Sequence, residues 1–207
     1  MSKVILPVGK PNGAFYGDGA TASSKPEVYE VHFGDEVAEL SFDEWAVWLS
    51  AHDLPDKQEK HEFDRYVLRD HIRSSRSVPV AKPVPHIEKL LERGLLVEAD
   101  LLGADQKSFC SRYRLIPTGF GMGNTADEID MTWVGQLGQR MVLLPTRTYQ
   151  VYAYSYRSGS MWDACVEFAD DDLSEAESVP EDYSDGIAEA LPTLVGALPL
   201  GFLESMA

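Results

Sequence analysis

Four arginines carry the strongest chemical signal in the chain. Arg65, Arg69, Arg73 and Arg76 follow one another at spacings of four, four and three. On a helix turning 100° per residue they share an arc of about 80°, while Phe63 and Val67 face the other way. The arc requires the helix to reach Arg76. Guanidinium forks match phosphates and carboxylates alike, so such a stripe suits an anionic ligand or a carboxylate-rich protein. The plainer reading is a solvated face paired with Glu62 and Asp70.

Other reactive residue types lack a workable pattern. His52 and His61 stand nine apart beside Asp53, Asp56 and Glu62, without the H-x-x-x-H or H-E-x-x-H spacing of a helical zinc site. Asp170, Asp171, Asp172 and Glu175 look towards calcium, but Glu175 stands where an EF-hand loop needs glycine. Gly119, Gly121 and Gly123 lack the G-x-G-x-x-G spacing of a phosphate loop and read as a flexible connection. Cys110 and Cys165 read as buried small hydrophobes, and no G-x-S-x-G elbow is present. The expectation is a protein that is not an enzyme and takes no metal or cofactor. Tyr152, Tyr154 and Tyr156 alternate along a predicted strand over 149–156, with Arg147 and Arg157 at its ends. They form either a stacking surface for a partner or a sheet face covered by the helix of Trp162.

The elements that must hold these residues follow from local pattern. Residues 1–40 read as an irregular, Gly- and Pro-rich arm with one short alternating strand at 28–33. Ser41 and Glu44 make a capping-box spacing ahead of a helix bearing Trp45 and Trp48. A second helix runs over about 59–74 and a third from Pro85 to a stop at Gly94. Strands at 95–102 and 109–116 flank a loop short enough for a hairpin. Further on come strands at 141–144 and 149–156, a helix capped by Ser160, an acidic linker at 170–182 and an uncharged tail over 190–203. That tail packs on its own domain or docks in a partner.

The stretch from His86 to Glu98, with Leu91, Glu92, Arg93, Gly94 and Leu95 at its centre, leads to Leu115, Ile116, Pro117, Thr118 and Gly119. It resembles the last helix and wing of winged-helix proteins of the MarR and PadR type over about residues 41–119. The resemblance implies a winged-helix-like domain of three helices plus a β-hairpin at 41–123; with the strands and helices read beyond it as a small β/α domain at 124–207, the expected fold class is α+β. The resemblance also implies DNA contacts from a recognition helix in the groove, with His86, Lys89 and Arg93 as candidates, and from the wing tip, with Lys107. Against that, Glu88 and Glu92 cancel the helix's two cations.

Charge separates the function classes. The 207 residues hold 34 acids and 18 bases, a formal net charge of −16. Residues 57–93 carry nine bases and six acids, whereas residues 158–207 carry twelve acids and no base. Such a field repels phosphate backbones, so nucleic acid is disfavoured as a partner. Eleven acids between Asp163 and Glu189 are expected either to solvate a linker or to shield the arginine stripe. No run of residues suits a signal peptide or a membrane helix, which points to the cytoplasm. The expected function is a non-catalytic regulatory or adaptor protein that binds another protein through Arg65, Arg69, Arg73 and Arg76, homodimerisation included. The alternatives are a DNA-binding regulator and an acidic inhibitor that mimics nucleic acid.

Overall fold

A computed structural model describes residues 3–53, 60–75, 80–171 and 179–206. The chain opens with a core strand. Val4–Pro7 (β1) is buried along its length and pairs antiparallel with Leu96–Ala99 (β5). Lys10–Phe15 (β2), Val28–Phe33 (β3) and Glu36–Leu40 (β4) form an antiparallel meander. Residues 1–40 therefore hold four strands where the sequence suggested one. Pro7 ends the first without preventing it, since an edge position needs no amide donor.

Three helices follow. In Phe42–Ser50 (α1) the expected capping box forms: the Ser41 amide donates to Glu44 Oε2 at 2.8 Å, and Ser41 Oγ accepts from the Glu44 amide at 3.4 Å. Trp48 is fully buried and its indole N–H donates to the Val8 carbonyl at 3.1 Å. Arg65–Ser74 (α2) starts later than the sequence suggested, because Asp64 caps it by accepting from the amides of Tyr66 and Val67. Pro83–Glu92 (α3) ends at Gly94, whose φ of +72° is the left-handed stop that glycine tolerates. The three helices pack on one another.

The expected hairpin does not form. β5 pairs with β1, residues 106–112 are helical (Gln106–Arg112, α4), and Tyr113–Pro117 (β6) pairs with Gly201–Ser205 (β10) from the end of the chain. Phe109 and Cys110 are buried as helix residues, and the wholly apolar β1 is the better partner for β5. The glycine-rich connection is also structured: Phe120–Gly121 (β7) joins Met131–Gln136 (β8) and Gln139–Pro145 (β9) in a fourth antiparallel sheet. Thr146–Tyr154 (α5) is a helix, not the strand expected over 149–156. Met161–Asp171 (α6) and Pro180–Leu191 (α7) pack together and against α5.

The architecture is α+β, with seven α-helices and small antiparallel sheets among the described residues. One apolar cluster extends from Val4 to Leu203. The uncharged tail packs into it, through Leu191, Leu194, Val195, Leu200 and Leu203. Among the described residues no helix is long and apolar enough to cross a membrane.

Candidate functional site

The arginine stripe lies on α2, and its members have different duties. Arg65 Nε and Nη2 donate to Glu98 Oε2 at 2.9 and 2.6 Å, and Nη1 donates to Glu88 at 3.1 Å. The Arg65 amide also donates to Glu98 Oε1 at 3.0 Å, so α2 is tied to β5 and α3 through one residue. Burial alone would raise the Glu98 carboxyl, but its hydrogen bonds to Arg65 outweigh that and hold it below the usual range. Arg69 forks onto its neighbour Asp70, with Nε 2.8 Å from Oδ1, and lies 5.6 Å from the centre of the Tyr66 ring. Arg73 points to solvent, 4.0 Å from Asp70. Arg76 lies outside the described residues.

Beside these arginines α2 and α3 enclose a small cleft of about 90 Å³, lined by Arg65, Tyr66, Arg69, Val84, Ile87 and Glu88. Tyr66 is 62% exposed and Val84 41%. An aromatic ring and an aliphatic residue thus stand in water next to guanidinium groups, a composition suited to protein contacts. Sequence reasoning missed Tyr66 and Val84 because it followed charge. The wheel held a signal: Tyr66 falls within about 60° of Arg69 and Arg73 on the same face.

The cations proposed for DNA do not share one surface. His86 Nε2 is 3.7 Å from Asp43, Lys89 Nζ is ion-paired with the buried Glu44, and Arg93 Nη2 donates to the Glu39 carbonyl at 3.2 Å. All three face α1 or β4. Burial would raise the Glu44 carboxyl, yet the bonds from Lys89 and Ser41 hold it at about 2. Lys107 sits elsewhere, 4.0 Å over the Trp162 ring and 3.9 Å from Glu181.

The tyrosine row is broken by the helix. Tyr152 is buried, donating to the Leu200 carbonyl at 2.8 Å and accepting from the Gly119 amide at 3.0 Å, while Tyr154 and Tyr156 remain half-exposed. His52 and His61 form no joint site: His52 Nδ1 is 3.0 Å from the Val195 carbonyl, and His61 Nε2 is 3.2 Å from the Glu189 carbonyl. Burial pushes the Cys110 thiol up to about 12 and raises Cys165 as well, so neither is a ready nucleophile. Of the acidic block, Glu181 faces Lys107, Asp182 lies 3.8 Å from Arg147 and Asp185 accepts from Gln106 at 2.7 Å. These acids are engaged away from α2. Asp172, Glu175 and Glu177 lie outside the described residues, and with them the calcium pattern. The chain matches no protein family, no curated protein and no solved structure.

Proposed function

We propose that the protein is a non-catalytic regulatory or adaptor protein of the cytoplasm that recognises another protein through the face shared by α2 and α3. The module is α1, α2 and α3, the helical part of the winged-helix arrangement that the sequence resembles. The observation carrying this reading is Tyr66, exposed beneath Arg69 and beside Val84 at the mouth of a preformed cleft. The partner segment it suits presents an apolar side chain flanked by carboxylates. Arg69 and Arg73 meet the carboxylates, while Arg65 supports the cleft wall from its bond to Glu98. A net charge of −16 disfavours a long polyanion such as duplex DNA but not a short segment seated on a local basic face. The DNA reading is the weaker one because His86, Lys89 and Arg93 are already turned to α1 and β4.

A photo-crosslinking residue at Val84 identifies the partner, and calorimetry with the purified partner then tests the face. Tyr66→Ala should weaken binding by at least about tenfold, the loss expected of an aromatic hot spot. Arg69→Glu should do the same, and random duplex DNA should not be retarded at physiological salt. Salt-dependent retardation of the duplex, with capture indifferent to Tyr66→Ala, overturns the proposal.

A further inference from the structure

A second cleft lies on the far side of the β6–β10 ribbon, and its lining has no role in the reading above. In this ribbon Arg114 is paired with Glu204 and Ile116 with Phe202. Side chains alternate, so Leu115 and Leu203 go to the core while Arg114, Ile116, Phe202 and Glu204 share the opposite face. Lys10 and Asn12 of β2, His32 of β3 and Tyr156, just beyond α5, wall that face off into an open cleft of about 490 Å³. This volume is in the range of small-molecule sites.

Apolar and cationic groups meet there in a fixed arrangement. Ile116 and Phe202 form an apolar floor, and Tyr156, 46% exposed, stands at the side. Arg114 is held by Glu204, to which Nε donates at 2.9 Å. Its Nη1 makes only a long 3.4 Å bond to the Tyr156 carbonyl, which leaves donor capacity towards the cleft. Among the described residues no carboxylate is paired with Lys10. Glu204 also lines the cleft and offsets one of its two cations, so Lys10 supplies the net positive charge there while Arg114 offers its remaining N–H donors. The corner between the walls is Gly9, with φ +96°, where a Cβ would come within 2.5 Å of the His32 carbonyl oxygen. The Gly9 amide donates to the Leu203 carbonyl at 2.7 Å, fixing the wall to the floor.

We propose that this cleft binds a small aromatic anion, with Lys10 and Arg114 taking the charged group and Phe202, Ile116 and Tyr156 taking the flat body. A bare inorganic anion would leave the apolar floor wet, and an uncharged aromatic would leave Lys10 unanswered. The bound molecule would bridge the meander of β2 and β3 to the ribbon of β6 and β10, so binding also raises the melting temperature.

The test is an amide NMR titration of the full chain with benzoate, phenyl phosphate, inorganic phosphate and benzyl alcohol. At least one aromatic anion should saturably shift the amides of Gly9 and of Gly34, which also lines the cleft, with inorganic phosphate and benzyl alcohol binding at least tenfold more weakly. The tighter of benzoate and phenyl phosphate tells whether the charged group is a carboxylate or a phosphate. Lys10→Glu changes an exposed side chain and should weaken the tighter anion at least tenfold while leaving the rest of the spectrum in place. Tyr156→Ala should weaken it too, with the inorganic phosphate response unchanged. The proposal fails if the Gly9 and Gly34 amides do not move at about 5 mM aromatic anion. It also fails if the shifts fall on the Tyr66 face, or if Lys10→Glu binds as the wild type does.

Discussion

Burial pushes the His52 imidazole down to about 4, and its hydrogen bond to the Val195 carbonyl opposes this only in part. Because that carbonyl only accepts, the neutral ring carries its proton on Nδ1; Nε2 is buried with no hydrogen-bond partner among the described residues. The ring stands edge-on to Trp48 at 4.6 Å and to Phe202 at 6.4 Å between centres. The unfolded chain takes up a proton near pH 6.5 and the folded chain only near 4. Stability is therefore fully present above about pH 6.5 and falls as pH drops towards 4. The shift corresponds to roughly 3 kcal/mol at most. Glu44 titrates in the opposite sense: its depressed carboxyl stabilises above about pH 4.5, and that contribution is lost as pH falls towards 2. Urea unfolding between pH 6.5 and 4.5 hence isolates the histidine. His52→Phe should flatten the slope in that window, and parallel slopes for the variant and wild type would remove His52 from the account.

Arg65 belongs to the scale of elements, because it joins the start of α2 to β5 and α3. Glu98 is only 9% exposed at its side chain. Arg65→Ala would strand that carboxylate and should cost about 3 kcal/mol, whereas Arg73→Ala at an exposed position should stay within about 0.5 kcal/mol. Denaturant titration separates the two, and equal costs would mean that the stripe is uniform after all. The helical wheel placed the described arginines on one face, but Glu88 and Glu98 arrive from other elements and no local pattern announces them. The same limit runs through the fold. α1 was legible from its capping box, β3 from its alternation and α3 from its proline start and glycine stop. α5 was not, because Tyr152, Tyr154 and Tyr156 alternate in a segment rich in aromatic and β-branched residues, which favours strand. The helical period is nonetheless present in Thr148, Val151, Tyr152 and Ser155, all buried at spacings of three, four and seven from the first. In residues 109–116 the apolar residues suit either period, and only the arrival of β1 and β10 decides. The open cleft was illegible for this reason: Lys10, His32, Arg114 and Phe202 are brought together by pairings that no local window contains.

At the scale of the molecule, the two ends of the chain close the structure. β1 pairs with β5 and β10 with β6, each across most of a hundred residues, and a parallel bridge between Val8 and Leu203 joins the ends to each other. Such pairings form only after large loops have closed, so residues Gly201–Ser205 should be needed for cooperative folding. Leu200 and Leu203 are fully buried, and the Leu200 carbonyl accepts from Tyr152 and from the amides of Thr118 and Gly119. Truncation after Pro199 would remove both leucines, strip β6 of its partner and leave the Tyr152 hydroxyl without its acceptor. The near-ultraviolet circular dichroism of the buried aromatics should then be lost for the whole chain, including the signal from Trp48 in the helix trio. Leu203→Ala separates packing from chain closure: with β10 still paired it should cost about 3 kcal/mol and keep a single cooperative transition. A truncated protein that retains the Trp48 signal and melts cooperatively would show that the middle third folds on its own, and the closure of the ends would then be a late decoration of an independent helical unit.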